Sequence, residues 1–311
     1  MNILVSGIAS DIGYNVGKII KELNISNKLY GMDILNKIYS TNIFDNQLIS
    51  SKANNKFYLK RLTEIIQKYK VDIFIPTSEA EISVLSKLKY NKFLENKILI
   101  NDNATVETFL DKYKTLDFLS KNKIDVPKNG LVGKLNPQNY PIIIKPRYGR
   151  GSKNIKIIKD YKDLKNYNES YVWQELLEPA NEEYTCPVFI SKKKDIRIII
   201  MKRKIVNGIT NSGQVMNDKY IYKYVEDIAK LIKSSGPINI QLIMTNNGPL
   251  VFEINPRLSS TLMFRHKMGF TDLKWWIDEL KNKKIENYII PKNGIKFYLK
   301  NKKYIIEKFN D

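Results

Sequence analysis

A row of polar side chains on an otherwise apolar strand is the part of this sequence whose residue types most clearly permit chemistry. In the run Val251–Arg257 the polar residues alternate with apolar ones. Successive side chains of a β-strand point to opposite faces, so Phe252 and Ile254 are predicted to pack into the core. The opposite face then carries a carboxylate, an amide and a guanidinium, which belong to Glu253, Asn255 and Arg257.

A second strand and a turn add a further oxygen donor to this row. Ile238–Met244 has the composition of a strand, and Thr245–Pro249 has the composition of a hairpin turn. A turn centred on Asn247 places Gln241 directly opposite Glu253. Mg²⁺ and Mn²⁺ take oxygen ligands and often share them with substrate phosphates, which arginine binds well. The predicted metal site comprises Gln241, Glu253 and Asn255. The alternative is a hairpin face that is merely polar.

A basic glycine loop between two strands is the second candidate site. An apolar strand ends in Lys145, and the loop that follows contains Arg147, Gly149, Gly151 and Ser152. Glycines allow close approach of the backbone, and successive N–H groups in such a loop can bind an anion. The pattern is not that of a Walker A loop, which opens a helix. We predict a flap that covers phosphates; the alternative is an ordinary glycine hairpin on a basic surface.

An apolar strand followed by an acidic segment can hold a nucleoside. The run Tyr171–Leu177 ends in Glu175, Leu176 and Leu177, whose backbone groups can contact a flat heterocycle. Glu183 can accept hydrogen bonds from ribose hydroxyls. The sequence by itself does not prove either role.

Strands that alternate with helices precede these motifs and must position their substrate. Apolar runs at 2–7, 28–32 and 71–75 are separated by helical periodicity, which predicts a parallel, Rossmann-like sheet. Ligands of such sheets bind at the carboxyl ends of the strands. The substrate-facing candidates there are Ser10, Asp33, Ser78 and Glu79.

The first of these loops, 6–13, resembles the cofactor loop of short-chain dehydrogenases at most positions. Asp11 stands where that family has a glycine facing the pyrophosphate, and its charge would repel phosphates. NAD is therefore not expected, and we interpret the loop as a β–α turn that contacts substrate.

Composition limits the possible classes of function. The chain has 311 residues, one histidine and one cysteine, so an internal disulfide and a His-rich metal site are excluded. No long apolar run or signal peptide is visible, and we predict a cytoplasmic protein without membrane contact. The formal charge of +20 is compatible with nucleic-acid binding. The lysines are scattered, however, so compositional bias is the preferred explanation and no nucleic-acid partner is predicted.

Taken in order, these motifs resemble the ATP-grasp superfamily, most closely the branch of the carbamoyl-phosphate synthetase large subunit. The resemblance covers nearly the whole chain and is most specific at Gln241 and Glu253–Arg257. It implies a mixed α/β and α+β fold, with a Rossmann-like pre-ATP-grasp domain followed by a two-lobed ATP-grasp domain. The expected domains are 1–103, a small lobe with the glycine flap at 104–177, and a C-terminal lobe at 178–311.

The resemblance also implies roles for individual residues. Gln241, Glu253 and Asn255 would hold Mg²⁺ or Mn²⁺ on ATP, and Arg257 and Lys145 would act in catalysis. Glu175–Leu177 would hold adenine and Glu183 the ribose. Further residues expected to contact ATP phosphates are Lys112, Lys145, Arg147, Gly149, Gly151 and Ser152. In the ATP-grasp part, Arg203 and Ser260 are additional substrate candidates.

The activity implied is an ADP-forming ligation of a small, amino-acid-like carboxylate to an amine through an acyl phosphate. Such phosphoryl transfer depends on positioning and charge neutralisation rather than on histidine. The alternatives are an ATP-grasp kinase that phosphorylates without ligation and, less favoured, a basic nucleic-acid-binding protein. Relatives are often dimers, so a homodimer is also expected.

Overall fold

Parallel strands with intervening helices build the first part of the chain, as the sequence pattern predicted. The computed structural model describes residues 1–35, 42–88, 97–149, 154–177, 183–206, 208–301 and 303–307. The first sheet has the order β3-β2-β1-β4 and all of its pairings are parallel. Its strands are β1 (Asn2–Ser6), β2 (Lys28–Asp33), β3 (Asn46–Ile49) and β4 (Ile73–Ile75). The accompanying helices are α1 (Asp11–Glu22), α2 (Tyr58–Lys68) and α3 (Glu79–Leu85).

The capping and apolar spacing of α1 explain why the chain turns back over the sheet after β1. Ser10 caps the helix by accepting a hydrogen bond from the Gly13 backbone N–H at 3.2 Å. The apolar residues Val16, Ile19 and Ile20 are spaced for one helix face and are fully buried. The run 98–100 forms no strand, although Ile98 makes an isolated parallel bridge to Phe74 beside β4.

The second sheet is small and antiparallel, with the order β5-β8-β6-β7. Its strands are β5 (Asn129–Leu131), β6 (Ile142–Pro146), β7 (Lys156–Ile158) and β8 (Tyr171–Glu175). The helices in this part of the chain are α4 (Asn103–Phe109), α5 (Lys112–Lys121) and α6 (Tyr161–Leu164). A separate apolar cluster that includes Ile144 and Trp173 covers one face of this sheet. The predicted glycine flap joins the paired strands β6 and β7.

The third sheet carries the hairpin that contains Gln241 and Glu253. Its main order is β14-β13-β9-β11-β12-β15-β16, and β10 pairs with β9. Its strands are β9 (Glu183–Ile190), β10 (Ile196–Ile198), β11 (Ile200–Val206), β12 (Ile209–Met216), β13 (Gly236–Thr245), β14 (Gly248–Asn255), β15 (Lys296–Lys300) and β16 (Lys303–Glu307). The helices of this part are α7 (Lys219–Lys230), α8 (Leu262–Lys267) and α9 (Asp272–Leu280).

One apolar cluster joins the first and last parts of the chain. Ile3 and Val5 of the parallel sheet belong to the same buried cluster as Phe264 and Trp275. The cleft between the parallel sheet and the third sheet is thus set by shared packing. The three sheets lie within the predicted segments 1–103, 104–177 and 178–311, whose boundaries stay a prediction. No helix in the described ranges is long and apolar enough to cross a membrane.

Candidate active site

The hairpin of β13 and β14 pairs the residues that the sequence placed opposite each other. Gln241 faces Glu253, and Asn239 faces Asn255. The turn itself is shifted from the predicted centre, because Thr245 pairs with Gly248. A bulge beyond Gln241 restores the predicted pairing by placing one extra residue in β14.

The extra residue is Phe252, and its position differs from the prediction. Phe252 is partly exposed rather than buried in the core, whereas Ile254 is 1% exposed. Its ring lies beneath the Lys145 ammonium, 4.7 Å from ring centroid to Nζ. Its carbonyl accepts a hydrogen bond from Gln174 Nε2 at 3.4 Å. The prediction of a core phenylalanine is wrong because the bulge breaks strict alternation and re-aims this side chain.

Lys145 is a buried cation among these groups. Its side chain donates a hydrogen bond to Gln174 Oε1 at 2.7 Å, and the residue is 8% exposed. Burial lowers the pKa of Lys145 to about 8, while the charge of Glu253 opposes this shift and that of Lys112 adds to it. An anion bound beside this ammonium would stabilise its charged form. Gln174, a buried partner that the sequence analysis did not select, fixes its position.

Lys112 and Lys145 are both close to the acidic residue of the hairpin. Lys112 Nζ lies 3.4 Å from Glu253 Oε1 and donates to the Gly149 carbonyl at 2.8 Å. Lys112 occupies the first turn of α5, so helix and flap meet at this side chain. Two cations around one carboxylate form an arrangement that phosphates and a metal ion would complete.

The donor set of the hairpin suits a hard cation that shares its ligands with phosphate. Gln241, Glu253 and Asn255 supply amide and carboxylate oxygens from adjacent strands. Asn255 is 6% exposed and accepts a hydrogen bond from Arg257 at 3.2 Å. Within the described ranges, no group of three or more His, Cys, Asp or Glu side chains forms a metal cluster. Mg²⁺ commonly takes one or two carboxylates together with phosphate and water, and these residues fit that pattern.

Arg147 is held by a carboxylate at the base of the flap. It donates to Asp111 Oδ2 at 2.6 Å, and Tyr148 donates to the same oxygen at 2.9 Å. Asp111 is fully buried and caps α5. Burial raises the pKa of Asp111, but the hydrogen bonds and charge of Arg147 outweigh burial and leave that pKa below its usual range. Sequence reasoning missed Asp111, although an Asp directly before a helix is a recognisable cap.

The flap beyond Gly149 is only partly described. Gly151 and Ser152 lie outside the described residues. The contacts of Arg147 here are with protein, so its predicted contact with phosphate stays a prediction.

The residues predicted to hold a nucleoside lie at the end of β8 and the start of β9. Glu175 exchanges hydrogen bonds with Lys128: its backbone N–H donates to the Lys128 carbonyl, and its side chain accepts from the Lys128 N–H, both at 2.8 Å. Leu176 and Leu177 are partly exposed. Glu183 accepts a hydrogen bond from Arg203 Nε at 2.9 Å. Glu183, which was predicted to bind ribose, is therefore paired with Arg203, which was predicted to bind the substrate.

A cavity of about 1030 Å³ lies between the parallel sheet and the third sheet. It contains the carboxyl ends of the parallel strands, where ligands of such sheets bind. All six predicted substrate residues line it, namely Ser10, Asp33, Ser78, Glu79, Arg203 and Ser260. Gln241, Glu253, Asn255 and Arg257 line the same cavity. Glu253 therefore connects this cavity with the lysine pair.

An ion pair crosses the cavity between its two walls. Arg257 Nε donates to Glu79 Oε1 at 3.1 Å, and Arg257 NH1 donates to the Leu258 carbonyl at 2.9 Å. The side chains of Arg257 and Glu79 are only 16% and 15% exposed. Glu79 is the first residue of α3, in the part of the chain that forms the parallel sheet. The carboxylate of this ion pair therefore comes from that part, and the guanidinium comes from the segment after β14.

Several of the predicted substrate residues also have structural partners. Asp33 accepts hydrogen bonds from the backbone N–H groups of Ala9 at 2.9 Å and Leu35 at 3.1 Å. Ser78 caps α3 and donates to Glu81 at 2.8 Å. Ser10 caps α1, as described above. These side chains shape the cavity wall and leave fewer free groups for a ligand.

Asp11 also lines the cavity wall beside Ser10. Its Oδ1 accepts hydrogen bonds from Asn15 and from Tyr304, each at 3.0 Å. Burial raises the pKa of Asp11, and these hydrogen bonds oppose the shift.

Known proteins resemble this chain in sequence and in architecture. Residues 109–261 match the family model of the ATP-grasp domain. The carbamoyl phosphate synthase large chain of Campylobacter jejuni is 25% identical over 198 residues, which cover 55% of this chain and 18% of that protein. The D-alanine–D-alanine ligase of Clostridium beijerinckii is 28% identical over 139 residues, which cover 39% of this chain and 46% of that protein.

A solved structure extends the comparison beyond the matched domain. N5-carboxyaminoimidazole synthetase from Staphylococcus aureus superposes with a TM-score of 0.74 at 17% identity, covering 96% of this chain and 82% of that one. Residues 109–261 belong to the ATP-grasp domain family. The chain as a whole has the fold of the S. aureus structure, a Rossmann-like sheet followed by two ATP-grasp lobes, as the sequence indicated. It spans 18% and 46% of the lengths of the two curated relatives.

Proposed function

We propose that this protein is an ATP-dependent, ADP-forming ligase that joins a small carboxylate to an amine. The observation that carries the proposal is the position of Glu253. This carboxylate faces Gln241 across the hairpin, lies 3.4 Å from the Lys112 ammonium and lines the large cavity together with Arg257. A metal-bound phosphate chain and a substrate carboxylate can meet at such a point.

On this proposal, the nucleotide lies between the small lobe and the hairpin. Lys145 and Lys112 bind its phosphates, and Glu175–Leu177 border the adenine. Glu253, Gln241 and Asn255 would hold Mg²⁺, which neutralises phosphate charge during transfer. The lowered pKa of Lys145 supports this assignment, because a buried ammonium without a full counter-charge is stabilised by an arriving anion.

The cavity would hold the two other reactants. Arg257 is placed to bind the attacking carboxylate and then the phosphoryl group on it, because its guanidinium suits planar, bidentate oxyanions. The carboxylate oxygen attacks the terminal phosphorus of ATP, and ADP leaves. The amine then attacks the acyl carbon, phosphate leaves, and the nitrogen loses a proton.

Glu79 is the residue that we assign to the amine. It lies in the cavity beside Arg257, where a carboxylate can accept hydrogen bonds from an ammonium or amine. When a substrate carboxylate occupies Arg257, Glu79 gives up this partner and is free to hold the amine next to the acyl group. Positioning of this kind contributes strongly to bimolecular reactions.

The relatives support the reaction class without fixing the substrates. One curated relative is a ligase named for joining two D-alanines, and the S. aureus structure was solved with ADP. We therefore take amino acids as the first substrates to test and ATP as the nucleotide.

The test is MgATP-dependent release of ADP and phosphate in the presence of amino-acid pairs, with product analysis by mass. Glu253→Gln preserves size and removes the metal-binding charge, so we expect kcat to fall about 100-fold or more, the effect of losing one preorganised charge contact. Glu226→Gln on α7, which also breaks an ion pair with a lysine, is the matched control and should leave the rate unchanged.

The products distinguish ligation from the alternatives. Equimolar ADP, phosphate and a condensed product support the ligase. A stable phosphorylated substrate without free phosphate would instead identify a kinase. Absence of MgATP-dependent thermal stabilisation at millimolar nucleotide would refute both the ligase and the kinase.

A further inference from the structure

The large cavity changes character from its floor to its mouth. On β11, the side chain of Arg203 is 7% exposed, whereas Ile205, two residues further out, is 38% exposed. On the opposite wall, Met32 is fully buried, while Ile34 and Leu35 beyond the end of β2 are 50% and 51% exposed. All five residues line the same cavity. The guanidinium of Arg203 therefore lies inside, and aliphatic side chains form part of the opening.

The aliphatic residues come from elements far apart in the chain. Ile34 and Leu35 follow a strand of the parallel sheet, whereas Ile205 and Ile209 flank the turn between β11 and β12. Ile209 is 40% exposed. We name these four residues the apolar mouth. Large aliphatic side chains left in water are unfavourable, and exposed aliphatic side chains around one cavity are typical of a ligand site.

Resting on the proposed function, we propose that the apolar mouth binds the aliphatic or aromatic group of a substrate whose charged end lies at Arg257 and Glu79. The preferred substrate class is thus an amino acid, or an amino-acid-like acid, with a large apolar side group. One cavity contains both regions, so both face the space in which a bound substrate would lie.

The size of the cavity agrees with this substrate class. Ligand pockets usually have volumes of about 300–1,000 Å³, and this cavity reaches about 1030 Å³. A pair of the smallest amino acids would leave its outer part filled with water against aliphatic side chains. Lys52 and Asn54 also border the cavity, and both are exposed. The outer wall is therefore apolar on two sides and polar on a third, which suits an amphipathic molecule.

The experiment compares ligands that share their charged ends and differ in the side group. Alanine, leucine, asparagine and phenylalanine, each in both enantiomers, are titrated into the protein with MgADP while thermal melting is followed. The same series is tested for ADP release with MgATP. Leucine and asparagine are nearly isosteric, so their comparison isolates apolarity from size.

The variant Ile205→Asn with Ile209→Asn makes half of the apolar mouth polar at positions where side chains are already exposed. We expect kcat/KM for the apolar substrates to fall about tenfold, the low end of the roughly 10–200-fold that one methylene changes in an apolar pocket. The kcat/KM for alanine should fall much less, so the ratio of leucine to alanine should drop several-fold. Ile289→Asn is the control, because Ile289 is 85% exposed and does not line the cavity.

The outcomes separate this inference from the proposed function. If asparagine binds as well as leucine, the apolar mouth does not select the side group. If the double variant slows the reactions of alanine and leucine equally, the apolar mouth does not select the side group either. That second result would indicate that the two walls of the cavity close on each other. If leucine and phenylalanine stabilise the protein most but MgATP is not hydrolysed with any of them, the inference stands and the ligase proposal fails. ADP release with every amino acid at similar kcat/KM would overturn the inference and preserve the ligase.

Discussion

Replacement of Lys145 by methionine tests whether this buried lysine serves to bind a ligand rather than to stabilise the folded protein. Lys145→Met keeps the length and apolar stem of the side chain but removes its charge. The lysine is 8% exposed, and its pKa is lowered from 10.5 to about 8. Since one pKa unit corresponds to about 1.36 kcal/mol, the charged form is disfavoured in the folded protein by about 3 kcal/mol.

The methionine variant also loses the hydrogen bond between Lys145 and Gln174, which offsets part of the cost of burying the charge. Gln174 Oε1 no longer accepts a hydrogen bond from the ammonium, which it receives at 2.7 Å in the wild type. An unsatisfied buried acceptor costs about 1–3 kcal/mol. At pH 7 we therefore expect the free energy of unfolding of Lys145→Met to be equal to that of the wild type or higher by up to about 2 kcal/mol. A residue retained for stability would give the opposite result.

The pH dependence of this difference has a defined sign. The folded lysine loses its proton near pH 8, and the unfolded lysine loses it near 10.5. Between these values the unfolded state binds more protons, so the wild type gains stability relative to the variant as pH rises. Below about pH 8 the full disadvantage of the charged lysine is present. We expect the difference to move in favour of the wild type by about 3 kcal/mol across this window.

The assay is urea denaturation of both proteins at pH 7 to 10.5, together with thermal melting in MgATP at pH 7. The wild type should be stabilised by MgATP according to RT ln(1 + [L]/Kd), and Lys145→Met should lose most of this stabilisation. Lys121→Met, at a largely exposed position of α5, is the control and should behave as the wild type. A destabilised variant that still responds to MgATP would refute the reasoning.

Three further substitutions test the parts that hold the site together. Asp111→Asn keeps a capping side chain but loses the charge-assisted hydrogen bonds with Arg147, so we expect about 1.5–3 kcal/mol of lost stability in urea denaturation; because the pKa of Asp111 is lowered, the difference from the wild type should shrink as the pH falls from 3.8 through the still lower pKa of the folded protein. Gly248→Ala, at a φ of +118°, should lower the melting temperature and weaken stabilisation by MgATP, since the turn fixes the register of the hairpin; an unchanged response would contradict this coupling. Arg265→Met leaves Asp272 without its counter-charge, with both side chains 1% exposed, and should cost about 3–5 kcal/mol in urea denaturation, whereas a loss below 1 kcal/mol would show that Asp272 becomes protonated or hydrated instead.

The parallel sheet could be predicted because its signal is local. Apolar runs alternating with helical periodicity indicate parallel strands with crossovers, and β1, β2 and β4 lie at the three predicted runs. The edge strand β3 was not predicted. Capping serines before α1 and α3 are equally visible in sequence, since a capping side chain bonds to an N–H only a few residues away.

In the hairpin the predicted pairing is correct, although the predicted turn is not and the bulge was not foreseen. Gln241 and Glu253 are opposite each other, but the turn lies elsewhere than predicted and a bulge at Phe252 makes up the difference. The choice of a bulge depends on what the extra residue contacts. Here its ring meets Lys145 and its carbonyl meets Gln174, both from a different sheet. No pattern within the hairpin contains that information.

The sequence by itself determined which kinds of groups were present and which elements carried them. Residue type and short-range periodicity fix the parallel strands, the glycine loop and the polar row of Glu253, Asn255 and Arg257, because these depend on neighbours along the chain. Only the tertiary structure decided the partners: Arg147 with Asp111, Glu183 with Arg203, and Arg257 with Glu79 across the cavity. Long side chains reach whichever opposite charge the packing of the sheets brings near, and that packing is set by apolar contacts far apart in the chain.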